Sequence, residues 1–301
     1  MGNILFGSAS WTDKSLLACG RFYPPEATTA QARLQYYATQ FPMVEVDSSY
    51  YGMPTAQNAQ LWADRTPAQF VFNVKAFRLL TGHQTSPAVL HRDLREALGP
   101  NPPATLYYRD TPAEIRDELW RRFIEALAPL RAGGKLGMVH FQFPPWLVRG
   151  REGIGHVEHC VEKLQGHVLA TEFRHRSWFD GDSLLKTLDF ERRIGVVHTI
   201  VDSPQGFDNC VPCVWEGTHA GYALLRLHGR NKQAWNIKGA TASSSRFDYR
   251  YSAVELEAML PEVRHIAQQV SAMHVVFNTN HEDQGQANAR LMRSLLARSA
   301  D

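Results

Sequence analysis

The sequence predicts an α/β protein, namely a single-domain TIM-type (β/α)8 barrel with parallel strands and a site at its C-terminal mouth. Eight short apolar runs alternate with helical patterns along the chain, which favours a closed barrel over a doubly wound sheet. The runs are apolar at consecutive positions, as expected of parallel strands covered on both faces. Each run also ends in a pair of polar residues on one face of the strand.

The predicted strands cover residues 4–10, 43–48, 70–75, 136–143, 168–174, 195–202, 222–228 and 273–279. Their polar pairs are Ser8 and Ser10, Glu45 and Asp47, Asn73 and Lys75, His140 and Gln142, Glu172 and Arg174, His198 and Asp202, Arg226 and His228, and Asn278 and Asn280. Side chains alternate between faces along a strand, so the members of a pair point to the same side. Because parallel strands end together, we expect these pairs to meet at the mouth.

Capping patterns predict three of the helix starts, at Thr28 with Gln31, Thr111 with Glu114, and Ser252 with Glu255. Pro261 is expected to kink or split the third of these helices. The last helix is predicted over residues 284–298. No linker, repeat or low-complexity tract interrupts the chain, so residues 1–301 are predicted to form one domain. Two long loops, near 76–110 and 229–251, are expected on the mouth side.

The composition excludes several classes of protein. A net charge of +2 is too small to indicate a nucleic-acid or membrane surface by itself, and no apolar run reaches the roughly 18 residues of a membrane span. The N-terminus has no signal-peptide pattern, so we expect a cytoplasmic protein. The spacing of Cys210 and Cys213 suits two loop thiols better than a redox or metal site, which would need further ligands.

Nucleotide-binding signatures are absent. Gly134-Lys135 resembles half of a P-loop, but the first glycine and the Ser/Thr are missing, and no GxGxxG follows a strand. We therefore expect no nucleotide cofactor.

Glu45 and Glu172 end strands on facing halves of the predicted barrel. Such a pair can act as general acid and base, or can bind a divalent cation. Metal binding would use Glu45, Glu172, Asp202 and His228 as ligands. The structural alternative is that the carboxylates neutralise Lys75, Arg174 and Arg226, but such a buried network stabilises a fold poorly unless well paired, which favours function.

Lys75 is a lone lysine at the end of an apolar strand. Burial would favour a base or a Schiff-base nucleophile, whereas nearby carboxylates would keep the amine charged for ligand positioning. We favour the charged role. His140 and His198 are expected one layer deeper, where with Ser8 they would satisfy one another.

Basic and aromatic residues are also expected at the mouth. Arg226, Arg230, Lys232 and Lys238 lie in and after the seventh strand, and loop 239–245 offers amides and hydroxyls, as in phosphate sites of barrels. A solvated basic loop is the alternative. The aromatic residues predicted on this side are Trp11, Tyr50, Tyr51, Trp178, Trp235 and Tyr249. They suit a ring-shaped ligand, or they pack beneath the long loops.

Seven motifs occur in register along the chain: Phe22-Tyr23-Pro24-Pro25, Val44 to Tyr51, Phe72 to Ala76, Phe141 to Pro145, Glu172 to Phe179, Arg226 to Arg230, and Phe277 to Asn280. Together they resemble the YecE-like family, domain of unknown function 72 (DUF72). The resemblance implies a TIM-type barrel in a bacterial cytoplasmic protein, and no established reaction. The positions that match the family's polar set are Glu45, Lys75, Gln142, Glu172, Arg174, His228, Arg230 and Asn278. The stretch 80–110 looks longer than in shorter members.

The first functional hypothesis is an enzyme, of hydrolase or lyase type, acting on a small polar and anionic ligand such as a sugar, sugar phosphate or nucleotide-like compound. Glu45 and Glu172 would share acid and base roles, and His228 would transfer a proton. Lys75, Arg174 and Arg226 would hold negative charge, with Asp202 and Arg230 at the same site. Gln142, Asn278 and Asn280 would orient the ligand, and Ser10, Trp11 and Tyr50 would form a wall.

Two other hypotheses stay open. One is a metal-dependent phosphodiesterase or isomerase. The other is a non-catalytic binder of an anionic metabolite or of a nucleic-acid end, although the near-neutral charge disfavours nucleic acid. The sequence does not specify an oligomeric state.

Overall fold

Eight parallel strands form the predicted barrel in the computed structural model, which describes residues 3–207, 209–233, 235 and 247–298. The strands are β1 (Asn3–Ser8), β2 (Met43–Val46), β3 (Val71–Lys75), β4 (Leu136–Gln142), β5 (Leu169–Glu172), β6 (Val197–Asp202), β7 (Tyr222–Leu227) and β8 (Ala272–Phe277). Every predicted strand is confirmed, with its ends within two residues of the prediction. Ladders connect the strands in the order β1-β8-β7-β6-β5-β4-β3-β2.

The α-helices are α1 (Lys14–Cys19), α2 (Ala30–Gln40), α3 (Ser48–Tyr51), α4 (Ala56–Asp64), α5 (Arg92–Ala97), α6 (Ala113–Ala132), α7 (Arg151–Lys163), α8 (Ser183–Ile194), α9 (Ala253–Gln269) and α10 (Gln284–Arg298). The predicted alternation of strands and helices is wrong at one place, because the described residues between β6 and β7 contain no helix. Pro261 does not split α9; it lies on the exposed face, where water can serve the carbonyl that loses its partner. None of the described helices is long and apolar enough to cross a membrane.

The helix starts test the capping predictions. The predicted capping box at Ser252 is confirmed, because its side chain accepts from the Glu255 amide and the Glu255 side chain accepts from the Ser252 amide. The prediction at Thr28 is wrong by one residue, since Thr29 caps α2 by accepting from the amide of Ala32. The prediction at Thr111 is also wrong, because its hydroxyl donates to the Tyr107 carbonyl and Pro112 holds the cap position.

The barrel interior is filled in layers. Its lower apolar layer consists of Ala9, Met43, Met138, Ala170, Val197, Leu224 and Val276. On several strands a polar residue follows two positions later on the same face, as Glu45 follows Met43 and Arg226 follows Leu224. The apolar layer therefore supports a polar layer on the mouth side.

The barrel is closed between β1 and β2 by a side chain rather than by a ladder. Among the described strands, these two neighbours have no ladder pairing. The Tyr37 hydroxyl of α2 accepts from the Ser8 amide at 2.9 Å and lies 3.3 Å from the Met43 carbonyl. Backbones approach closely here, and a Cβ on Gly7 would lie 2.4 Å from the Met43 carbonyl oxygen. Only glycine fits at that position without displacing β2.

A polar contact is also built into the wall between β3 and β4. The register shifts at this point, and the Asn73 amide oxygen accepts from the Met138 backbone amide at 3.0 Å. Its second partner is His274 Nδ1, also at 3.0 Å. Burial lowers the pKa of His274 to about 4, so the neutral ring donates. Asn73 therefore fills the irregular ladder and does not reach the mouth with Lys75.

Candidate functional site

A group of buried charged and imidazole side chains, which we call the charged floor, crosses the barrel above the apolar layer. It comprises Glu45, His140, Glu172, Arg226 and His228, all with 0% exposure. Arg226 lies between the two carboxylates and donates to Glu45 Oε1 and to Glu172 Oε2, each at 2.6 Å. His140 lies between the same carboxylates, 3.5 Å from Glu45 and 3.3 Å from Glu172. Arg226 thus links its own strand β7 to β2 and β5.

His228 links the floor to β8. Its Nδ1 lies 2.8 Å from Asn278 Nδ2, and its Nε2 lies 3.1 Å from Glu172 Oε1. Burial outweighs the nearby carboxylate and lowers the pKa of His228 to about 3. The neutral ring can therefore accept from Asn278 through Nδ1 and donate to Glu172 through Nε2. Both nitrogens are engaged, so His228 fixes Glu172.

Glu172 is saturated with donors. Oε1 accepts from Arg174 at 3.1 Å and from His228, while Oε2 accepts from Arg226. Burial alone would raise its pKa, but Arg226, His228 and the imidazole contacts together hold the pKa of Glu172 well below its usual range. By contrast, Glu45 Oε2 accepts no hydrogen bond from the described residues. The two carboxylates therefore differ in how many of their oxygens accept hydrogen bonds.

A second layer, which we call the cationic rim, lies around Tyr50 and His83 at the mouth and comprises Lys75, Arg78 and Arg174. Lys75 donates to Asp47 at 2.8 Å and lies 4.7 Å from the Tyr50 ring, which Arg78 also approaches at 5.3 Å. The Arg174 guanidinium lies 5.2 Å from the Trp235 ring.

Burial and the three rim cations together lower the pKa of His83 to about 3. Its ring therefore adds no charge, which leaves the rim dominated by the cations.

The charges of the two layers differ in sign. The rim has three cations against the carboxylate of Asp47, whereas the floor has two carboxylates against Arg226. The rim therefore has an excess of two positive charges and the floor an excess of one negative charge, with the histidines neutral. Positive groups near solvent above a dry negative base favour an anion at the rim.

The structure brings most of the predicted site residues together. Glu45, Glu172, Arg226, His228 and Asn278 meet in or beside the floor, and Lys75, Arg174 and Tyr50 meet at the rim. Gln142 pairs in register with Glu172 on the adjacent strand. The functional roles predicted for these residues stay predictions.

Asp202 and Arg230 do not join the site. They form a separate pair in which the Arg230 guanidinium donates to both oxygens of Asp202 at 2.8–3.0 Å, and the Tyr251 hydroxyl donates to the same carboxylate at 2.6 Å. Asp202 pairs in register with Leu227, whereas Val201 pairs with the inward Arg226. The end of β6 thus turns Asp202 toward the helices, so its predicted place in the interior is wrong.

Three residues predicted at the wall or for ligand orientation lie elsewhere. Trp11 is buried edge-on against Trp62 at 5.9 Å and against Phe72, outside the barrel, so it belongs to the core. Ser10 and Asn280 line a cavity of about 10 Å³ beside α1 and α10, which is space for about one water. Strand β1 ends at Ser8, two residues before Ser10.

The aromatic residues predicted at the mouth lie in different parts of the structure. Trp178 stacks on Phe173 at 3.8 Å and is fully buried, so it packs within the core. The Tyr249 hydroxyl donates to Glu255, next to the Asp202 pair. Tyr51 is 51% exposed. Only Tyr50 and Trp235 contact members of the rim.

The deep polar layer is not a single cluster. Ser8 contacts Tyr37, and His198 Nδ1 lies 3.0 Å from Glu191 of α8, so both face the helices. Glu191 also accepts from Thr171 at 2.6 Å. The expectation that Ser8, His140 and His198 satisfy one another is therefore wrong, and only His140 lies inside the barrel.

The proposed metal ligands do not converge. Arg226 fills the space between Glu45 and Glu172 that a cation would need, and Asp202 points away. Within the described ranges, no group of three or more His, Cys, Asp or Glu side chains has metal-binding geometry. The residues present do not fit a divalent metal at the floor.

Other predicted features lie at the margin of the site or beyond the described residues. Lys238 and loop 239–245 fall outside the described ranges, and Lys232 is exposed. Cys210 and Cys213 are free thiols. Burial raises the pKa of both, that of Cys213 to about 12, so they are protonated at neutral pH.

Three residues near the mouth were not predicted. Arg78, His83 and Trp146 lie in the loops after β3 and β4, with the His83 ring 5.2 Å from Tyr50 and 5.7 Å from Trp146. The long loop after β3 was a signal for them, but loop residues have no strand periodicity to indicate which ones point to the site.

A family model described as "Protein of unknown function DUF72" matches residues 5–301. The chain belongs to the DUF72 family. It is 33% identical over 295 residues to the UPF0759 protein YunF of Bacillus subtilis (strain 168), covering 97% of this chain and 94% of that protein. The predicted family is therefore confirmed, and this relative is bacterial.

Two solved DUF72 structures show the same fold. The crystal structure of a DUF72 family protein from Enterococcus faecalis V583 has a TM-score of 0.80 at 24% identity, covering 98% of this chain and 95% of that chain. One from Thermotoga maritima MSB8 has a TM-score of 0.74 at 26% identity, covering 98% and 99%. These structures confirm a TIM-type barrel for this DUF72 chain.

Proposed function

We propose that this protein is an enzyme, of hydrolase or lyase type, that binds a small anionic ligand such as a sugar phosphate or nucleotide-like compound at the barrel mouth. The observation that carries the proposal is the opposite charge of the two layers. Lys75 and Arg174 are 7% and 13% exposed, so they are largely desolvated yet within reach of a ligand. Charge-assisted hydrogen bonds are strong in such surroundings.

The two carboxylates receive different roles in this proposal. Glu172 has a donor on each oxygen and a depressed pKa, so it orients Arg174 and His228. Glu45 has one oxygen without a hydrogen-bond donor among the described residues, and it is the better candidate for general base. Gln142 pairs in register with Glu172, and in this proposal it would orient the ligand.

Binding is tested first, by titration calorimetry with inorganic phosphate and ribose 5-phosphate. Lys75→Gln and Arg174→Gln should each weaken binding roughly tenfold or more, because a hydrogen bond to a charged group contributes about 1.5–3 kcal/mol. Arg92→Gln is the matched control, since Arg92 is 84% exposed and forms its ion pair with Glu96 on the same helix. Equal affinities in all four proteins would refute the anion site.

Turnover is tested next, with panels of sugar phosphates and nucleotides. If the protein turns over a bound compound, Glu45→Gln should lower kcat by about 100-fold or more while ligand binding is retained. Tight binding of every panel member without turnover would instead identify a non-catalytic binder. Unchanged kcat in Glu45→Gln would remove Glu45 from the proton-transfer role.

A further inference from the structure

A cavity of about 220 Å³ lies beside the mouth, between the loop after β3, the loop after β4 and helix α7. Its lining includes Tyr107, Arg109, Trp146, Leu147, Glu152 and His156. This volume is below the roughly 300–1,000 Å³ of sites that hold whole small-molecule ligands, so it suits one part of a ligand.

Ring contacts connect the cavity to the cationic rim. Lys75 lies 4.7 Å from the Tyr50 ring, Tyr50 lies 5.2 Å from His83, and His83 lies 5.7 Å from Trp146, which lines the cavity. Gly82, with φ +87°, also lines the cavity and turns the chain immediately before His83. Tyr50 and His83 thus lie between the rim and the cavity, and a ligand that contacts both has to pass over these two rings.

The chemistry of the lining favours a planar ring in the cavity. Trp146 is 51% exposed, an unusual position for so large an apolar ring, and Tyr107 and Leu147 add apolar surface. Burial lowers the pKa of His156 to about 4, so this side chain is uncharged. The hydroxyls of Tyr107 and Tyr108 already bond to Gln84 and to His159 and Trp120, so Arg109, Glu152 and His156 are the polar side chains left for a ligand, whereas a sugar ring would need partners for each hydroxyl.

We propose that this cavity binds the planar heterocycle of a nucleotide-like ligand whose phosphate is held by the cationic rim. The inference rests on the proposed function for its phosphate end, and it adds the class of ligand. Trp146 is the specificity residue, because stacking of a base on an aromatic ring contributes about 1–3 kcal/mol.

The test compares AMP and UMP with ribose 5-phosphate by titration calorimetry. At least one nucleotide should bind the wild-type protein roughly tenfold more tightly than ribose 5-phosphate. Trp146→Ala should remove this advantage and leave the affinity for ribose 5-phosphate within about twofold, and Trp146→Phe should keep most of the advantage. Leu185→Ala, at a 67% exposed residue of α8, is the matched apolar control and should change nothing.

The outcomes separate the two proposals. If ribose 5-phosphate binds through Lys75 but neither nucleotide binds more tightly, the cavity inference is wrong and the anion site stands. A nucleotide advantage that survives in Trp146→Ala also refutes the inference. If none of the three compounds binds, and Lys75→Gln behaves as the wild-type protein does, the proposed function itself fails.

Discussion

The charged floor and the pair of Asp202 and Arg230 are made of the same residue types at the ends of neighbouring strands, but they lie on opposite faces of the sheet. Arg226 of the floor is 0% exposed and joins two carboxylates, whereas Arg230 is 40% exposed. The comparison shows that the degree of burial determines how much a charged side chain contributes to the stability of the fold. A fully buried charge depends on every partner, whereas a half-exposed one is served by water.

Loss of Arg226 should have the largest effect. Arg226→Met leaves Glu45 and Glu172 buried and close together without their shared cation, so the free energy of unfolding should fall by about 3–5 kcal/mol. Arg230→Met is the control and should cost at most about 2 kcal/mol, since Asp202 keeps the Tyr251 hydroxyl. Urea denaturation measures both, and equal losses would show that the faces do not differ.

The pH dependence of His228 should give the next largest effect. Its pKa is about 3 in the folded protein, against about 6.5 when unfolded. Below pH 6.5 the unfolded chain binds a proton at this histidine, whereas the folded chain does not. The free energy of unfolding is therefore highest above this pH and falls toward pH 3.

Between pH 6.5 and 5 this loss should be about 1.6 kcal/mol, since the slope rises from half of about 1.4 kcal/mol per pH unit at pH 6.5 to nearly the full value at pH 5. Over this interval, the free energy of unfolding of His228→Gln should fall by that much less than that of the wild-type protein, as measured by urea denaturation at each pH. Leu185→Ala, at an exposed residue without a titratable group, should keep the wild-type slope. A wild-type slope in His228→Gln would mean that His228 is not held neutral.

The smallest expected effect concerns salt. A double-mutant cycle on Asp202 and Arg230 should give a coupling energy of about 0.2–1 kcal/mol, reduced in 1 M NaCl, where the screening length is about 3 Å. A cycle on Glu45 and Arg226 should give a larger coupling that changes little with salt, because both groups are buried. Equal salt sensitivity of the two couplings would contradict the burial difference.

The eight strands and most of the floor could be predicted from the sequence. Apolar runs of this length are typical of parallel strands that are covered on both sides. A polar residue near the C-terminal end of such a strand is expected at the mouth. Glu45, Glu172, Arg226 and His228 follow this rule, and the structure brings them together.

The orientation of β1 and β6 could not be predicted in the same way. A strand that is buried on both faces has no alternation to show which face is inward. In the structure, polar side chains of these strands face the helices. Ser8 contacts the Tyr37 hydroxyl, and His198 contacts the Glu191 carboxylate. Glu191 was the available signal, as a carboxylate three positions after the apolar Leu188 on a helix.

Closure of the barrel by Tyr37 instead of a ladder has a consequence for the order in which the strands pair. Residue Asn3 finds its ladder partner only at Ala272 of β8, because β1 has no ladder with β2. On the ribosome, strands β2 to β7 can assemble in turn as they emerge, since each pairs with the next. Strand β1 is the first of the eight in the sequence, yet its ladder can form only once β8, the last of them, is available.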